Sequence, residues 1–112
     1  MTAFFMLQGR YTQGAIKNLM AKPEDRSKAA ASVAKACGGT LLQYYMSLGK
    51  YDFMAVMEFP NVEAATACSM AVAAGGHVSD MTTTKLLTPE EAMKAMALAN
   101  SAAPSLPLPK GK

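Results

Sequence analysis

Between Gly39 and Pro60 the chain reads GTLLQYYMSLGKYDFMAVMEFP, and this stretch limits the fold more than any other. It predicts two long strands around the tight turn Leu48-Gly49-Lys50-Tyr51, because β-branched, aromatic and long apolar side chains run for about eight residues on each side of the glycine. Strict alternation sets Leu42, Tyr44, Met46 and Leu48 on one face of the first strand and Leu41, Gln43, Tyr45 and Ser47 on the other. In the second strand Tyr51, Phe53, Ala55, Met57 and Phe59 oppose Asp52, Met54, Val56 and Glu58. Neither strand has a wholly polar face. A hairpin with one face in water normally alternates apolar with polar, so this one calls for cover on both sides: helices on one, a partner sheet or a closed cleft on the other. The sequence therefore predicts a homodimer or higher homo-oligomer.

The remaining elements follow from spacing. Ala3 to Tyr11 (AFFMLQGRY) is a first strand, apolar on both faces until Gln8 and Arg10. Thr12 is placed to cap a helix on which Ile16, Leu19 and Met20 recur at helical spacing, and Pro23 interrupts it. A second helix is expected to start at Pro23, with Glu24 and Asp25 against the positive end of its dipole. Ala30, Val33, Ala34 and Cys37 form its apolar stripe, small enough to approach a sheet closely, and Gly38-Gly39 ends it. Asn61 caps a third helix running to about Ala74, with Val62, Ala65, Ser69 and Val72 on one side, and Gly75-Gly76 stops it. His77 to Leu87 is a fourth strand. Thr88-Pro89-Glu90-Glu91 is a capping box with proline at the first helical position, opening a last helix whose stripe is Met93, Met96 and Ala97. The domain is thus assigned to residues 1–99 and a flexible, proline-rich tail to 100–112.

This order predicts an α+β fold: a ferredoxin-like βαββαβ unit with a four-stranded antiparallel sheet, the first and third strands central, helices on one face, and an extra C-terminal helix. A chain of 112 residues, 51% hydrophobic and 17% charged, suits one domain with one core. The net charge of +3 comes mainly from Lys17, Lys22, Arg26, Lys28 and Lys35 facing only Glu24 and Asp25, which reads as a solvated helix surface. No nucleic-acid partner is expected, because RNA binding through the same βαββαβ order would need a denser basic surround, and Asp52 would oppose phosphate. No apolar run approaches membrane-spanning length, so no membrane partner is expected either. Two cysteines with no leader-like start point to reduced thiols and a cytoplasmic location. The ten methionines suit either a core filler or an adaptable binding cavity.

One set of residues resembles a known family. Gly49-Lys50-Tyr51-Asp52 matches the glycine-tyrosine-aspartate signature of the small bacterial GYD-domain proteins, in its Gly-x-Tyr-Asp spacing. The similarity extends from about Phe4 to Ala97 through Thr12-x-Gly14, Lys17, Pro23 with Arg26, Gly38-Gly39, Glu58-x-Pro60 and Gly76. Asn61 stands where an acidic residue is commoner and keeps the capping role. The resemblance implies a dimeric α/β barrel, two sheets packed face to face with helices outside. Relatives in that superfamily include cofactor-free monooxygenases, muconolactone isomerases and haem-binding enzymes, so the fold alone selects no chemistry.

Candidate chemistry is sparse. Gly49, Tyr51 and Asp52 form the signature turn; a carboxylate beside a phenol could share a proton with a substrate, and equally an aspartate at a hairpin mouth accepts backbone N–H groups. His77 is the only histidine, which rules out a multi-histidine metal site within one chain and leaves a single titratable group at a helix-to-strand junction. Cys37 and Cys68 fall among small apolar neighbours and read as inert thiols. Tyr11, Arg26, Tyr45 and His77 are the candidates for lining a ligand cleft, and Glu58 is expected to pair with Arg10 or Arg26. Neither a metal nor a cofactor is expected. These residues suit a module that binds a small apolar or aromatic metabolite, or alternatively a cofactor-free monooxygenase or isomerase acting on such a metabolite.

Overall fold

The computed structural model describes residues 2–111. In chain order the elements are β1 (Ala3–Tyr11), α1 (Gln13–Ala21), α2 (Ser27–Ala36), β2 (Thr40–Met46), β3 (Phe53–Phe59), α3 (Val62–Ala74), β4 (Val78–Leu86) and α4 (Pro89–Ala102), followed by a 3-10 turn at Ala103–Ser105. The four strands form one sheet in the order β2-β3-β1-β4, every neighbouring pair antiparallel. This is the expected ferredoxin-like α+β arrangement, with β1 and β3 in the centre.

The two central strands pair without a break from Ala3↔Phe59 to Gly9↔Phe53. Phe5 and Leu7 of β1, with Phe53, Ala55, Met57 and Phe59 of β3, point to the helix side and are buried. Phe4, Met6 and Gln8 share the outer face with Met54, Val56 and Glu58. The edge strands are less regular. In β2 the register passes from Leu41↔Met57 to Gln43↔Val56, so Leu42 is an extra residue. Strict alternation is thereby corrected: Leu41 joins Tyr44 on the helix side, while Leu42 is left exposed. In β4 the partners shift from Gln8↔Thr82 to Arg10↔Ser79, and Asp80 takes up the extra residue at φ 53°, a left-handed conformation that aspartate tolerates better than most side chains. The β2–β3 turn is Leu48 to Tyr51, as expected. Ser47 and Asp52 close it through Ser47 N–H to the Asp52 carbonyl at 2.9 Å.

Helices α2 and α3 cover the inner face. Ala34, Ala65 and Cys68 are fully enclosed against Phe5, Leu7, Met57 and Phe59, and Ala30, Val33 and Cys37 pack at the margin of this cluster. Three local expectations are corrected. Helix α2 begins at Ser27 rather than Pro23, because Asp25 Oδ1 accepts from the Ser27 amide at 2.9 Å and its hydroxyl at 2.6 Å, holding residues 23–25 as a connection. On α3 the buried line is Ala65 and Cys68, and Val62 is exposed. Glu58 accepts from the Thr2 hydroxyl at 2.6 Å instead of pairing with an arginine. The Asn61 cap forms as expected, its Oδ1 accepting from Ala64 N–H at 2.9 Å.

Helix α4 is a different case. Its capping box is complete, with Thr88 Oγ1 accepting from Glu91 N–H and Glu91 Oε1 from Thr88 N–H, and the bond from Thr88 N–H holds the Glu91 carboxyl below its ordinary range. The helix runs on through Ala102, past the expected boundary, yet none of its residues is buried, and its substantial packing is only with the 3-10 turn after it. The protein therefore measures 61 × 39 × 22 Å with a radius of gyration of 18.2 Å, against about 13 Å for a compact chain of this length. Met93, Met96 and Leu98 stand in the open.

Two glycines test this packing in opposite directions. A Cβ on Gly39 would lie 2.4 Å from the Phe59 ring and 2.5 Å from the Glu58 carbonyl oxygen, whereas one on Gly14, inside α1, would meet nothing within 4 Å. Gly39→Ala is expected to destabilise the fold by about 1–3 kcal/mol, and Gly14→Ala to leave it unchanged or gain up to about 0.5–1 kcal/mol. Urea unfolding midpoints of the two variants check both.

Candidate functional site

The inner face of the sheet is not filled along its whole length. Toward the C-terminal end of β1, Ala29, Ala30 and Ala71 are the small helix residues along this part of the sheet, and in β3 Ala55 is the small side chain between Phe53 and Met57. Methyl groups on both sides of a helix-on-sheet gap near 10 Å cannot meet. A cavity of about 230 Å³ results, with Leu7, Phe53 and Met57 in its floor and Val33 and Val72 in its walls. Its interior is apolar apart from one end.

At that end stand Tyr11 from β1, Tyr44 from β2, Arg26 ahead of α2 and His77 ahead of β4. The two phenols meet across the sheet, hydroxyl to hydroxyl at 2.5 Å. Phe53 sits between them: its ring stacks on Tyr44 at 6.0 Å with 8° between planes and tilts against Tyr11 at 5.4 Å. Room for that ring comes from Gly9, where a Cβ would be 3.0 Å from Phe53 Cζ and 2.8 Å from Val78 Cγ1. Burial, then the bond to Tyr11, pushes the Tyr44 phenol well above its ordinary range, so it stays protonated.

Tyr11, Arg26 and His77 also line a second, more polar hollow of about 240 Å³, whose other walls include Asn18 and Leu19 of α1, Lys22 just after it, and Glu24. These three residues are thus a threshold between an outer vestibule and the apolar chamber. The Arg26 guanidinium is engaged by Glu24 Oε2 alone, at 3.3 Å and largely in solvent. Among the described residues, neither phenol has a hydrogen-bond partner other than its twin, and the His77 ring has none.

The expected cleft residues are therefore divided. Tyr11, Arg26 and His77 converge, although they come from the end of β1 and two separate connections. Tyr45 does not join them: it lies on the outer side of β2, more than half exposed, and Tyr44 takes the place assigned to it. The signature turn stays out of the chamber. Gly49 adopts φ 150°, Tyr51 reaches across to the Thr82 hydroxyl at 2.9 Å, and Asp52 Oδ2 accepts from Tyr11 N–H at 2.9 Å while Asp52 N–H donates to the Gly9 carbonyl at 2.8 Å. Asp52 thus holds the backbone of a cavity residue.

Both thiols lie away from this rim. Cys68 is enclosed beside Met57, and burial, then Cys37, raises it to about 11 from 9.0. Between those values the unfolded chain releases this proton while the folded one keeps it, so this contribution to stability is lost as the pH rises from 9 to 11. Among the described residues no group of three or more His, Cys, Asp or Glu side chains could hold a metal ion, and no helix is long and apolar enough to cross a membrane.

The architecture defines a small ferredoxin-like α+β domain with a half-open apolar pocket that carries Tyr, Arg and His groups at one end. The chain belongs to the GYD-domain family, whose model matches residues 5–96. None of the curated proteins searched matches it.

The Asp52 clamp makes a measurable claim. Asp52→Ala leaves the half-buried Tyr11 amide without its acceptor and is expected to cost about 1–3 kcal/mol, while Asp52→Asn, which keeps an acceptor oxygen, costs less. Denaturant midpoints order the two, and loss of amide-exchange protection at Tyr11 in the alanine variant localises the effect.

Proposed function

We propose that this domain binds a small apolar or aromatic metabolite in the chamber between the sheet and helices α2 and α3. The observation that carries the reading is the chamber itself: about 230 Å³ within a single chain, apolar in its depth and polar only at its mouth, the usual composition of a small-molecule site. An apolar cavity of about 150 Å³ already accepts benzene, so one ring with small substituents fits. Its walls are paired strands and regular helices, which suits recognition without large rearrangement.

Binding is tested with one-ring aromatic probes of either charge, followed by protein-observed NMR. Ala71 lines the chamber from an exposed helix position, so Ala71→Phe fills it without loading the core. Shifts clustered at Leu7, Tyr44 and Val72, weakened about tenfold or more (1.4 kcal/mol) by Ala71→Phe at unchanged thermal stability, are expected. Shifts indifferent to that substitution would overturn the reading. Conversion of a probe during the titration, lost in Tyr44→Phe, would favour the oxygenase or isomerase reading instead.

The partner of this module is a second copy of itself, met through the outer face of the sheet. The support is that Phe4, Met6, Met54, Val56 and Leu86 share that face, and that no helix of the described residues packs on it. Helix α4, at 14 residues, is too short to be stable alone in water; it gains cover by lying along the partner. Sedimentation equilibrium should give twice the chain mass, reverting to one chain in Val56→Glu. A single-chain mass for the unmodified protein at micromolar concentration would refute the dimer and leave the chamber reading intact.

A further inference from the structure

The rim of the chamber offers hydrogen-bond donors and almost nothing to receive from them. Of the two hydroxyl hydrogens of Tyr11 and Tyr44, one is used in the bond between them, so in either arrangement one hydrogen is left to point outward. Arg26 has five N–H donors and a single partner, the exposed Glu24 carboxylate at 3.3 Å. Lys22 adds a second positive charge to the vestibule wall. Among the groups lining chamber and vestibule, Glu24 is the only carboxylate; Asp25 lines an adjoining hollow with Arg26 and Tyr44, but its Oδ1 is occupied by the Ser27 amide and hydroxyl.

From this imbalance we infer that the ligand is a one-ring aromatic acid, its ring in the chamber and its carboxylate at the rim between the phenol pair and Arg26. The inference rests on the chamber being a binding site, and adds the charge and orientation of what enters it. A planar carboxylate has two acceptor oxygens, enough to take the free phenol hydrogen on one and the guanidinium on the other. The phenols suit this role because Tyr44 remains protonated and so donates to the anion without repelling it. Glu24 is a weak competitor: an exposed ion pair is worth little, and the guanidinium exchanges it readily for a better-shielded anion. A cationic ligand would meet Arg26 and Lys22 head-on. A neutral hydrocarbon would fill the chamber and leave every rim donor unused.

The probes are benzoate and phenylacetate, the corresponding neutral amides, and benzylamine, titrated calorimetrically into the full chain at low salt. The acids are expected to bind about tenfold or more tighter than their amides, and benzylamine more weakly than either. Arg26→Gln should abolish the preference for acid over amide while leaving amide affinity within about twofold; Tyr44→Phe should reduce it in part; Glu24→Gln should raise acid affinity a few fold by freeing the guanidinium. Circular dichroism and thermal midpoints check that each variant is folded. Equal affinity for acid and amide, or a preference untouched by Arg26→Gln, overturns the inference while the chamber reading stands. No binding of any probe, or binding that survives Ala71→Phe, overturns both.

Discussion

The site depends on the pairing of β1 with β3 being carried one step beyond the strands themselves. The ladder ends at Gly9↔Phe53, but Asp52 continues it, its amide donating to Gly9 and its carboxylate receiving the amide of Tyr11. A side chain here replaces a main-chain acceptor, which lets the β2–β3 connection leave the sheet while the end of β1 stays fixed. Fixing that end fixes Tyr11, and through the hydroxyl contact it also orients Tyr44 on the far side of Phe53. Tyr51 then runs over the outer face to Thr82, so the same turn is tied to both β1 and β4. The glycine-tyrosine-aspartate signature is thus a brace beside the rim, not a member of it.

The chamber arises from a mismatch in side-chain volume. Where Ala34 of α2 approaches the sheet it finds Phe59 and Met57, and the contact is closed. One helical turn nearer the start of α2, Ala30 faces Ala55 and the layer opens. The same helix therefore supplies a packed core at one end and a vacancy at the other, with no change in its own geometry. An unfilled volume of this size forfeits dispersion contacts that larger side chains would supply, so a ring entering it restores contacts the fold lacks.

Much of the architecture was legible from periodicity. The four strands, the Asn61 and Thr88 caps and the central place of β1 and β3 follow from patterns of two and near four, and those patterns report local physics. The departures are equally instructive. The bulge at Leu42 cannot be seen in TLLQYYM, because every residue there is compatible with either face; only pairing against β3 decides that Leu41 and Tyr44 point together. For the same reason the sequence points to Tyr45 for the cleft, and only register puts Tyr44 there and Tyr45 on the outer side. Pro23 marked a break correctly, but the start of α2 was set by Asp25 bonding Ser27, a local competition that composition does not reveal. Asn18 of α1 and Lys22 just after it carry no signal of the vestibule they line. Residue type alone points to Tyr11, Arg26 and His77, and what brings them together is tertiary: the end of β1 and two connections meet at one end of the sheet.

The chamber and the unpartnered apolar residues lie on opposite faces of the sheet. A hairpin apolar on both sides calls for a partner sheet or a closed cleft on the face away from the helices. Yet the chamber lies on the helix side of a single chain, while the unpartnered residues Met6, Met54 and Val56 lie on the other side of the same strands. Alternation along β1 and β3 separates them: Leu7 and Ala55 point into the chamber, and their immediate neighbours point outward. A ligand in the chamber and a partner on the outer face would therefore not touch the same side chain, although they would share a backbone. Any influence of one on the other has to pass through the strands, and the path available is short, from Tyr51 on the outer face through the adjacent Asp52 to the amide of Tyr11 at the rim. That path is a brace of hydrogen bonds between elements already fixed by the ladder, with no second arrangement in view, so the expectation from the fold is that binding and association are independent in energy, as distant sites without a bistable element between them generally are.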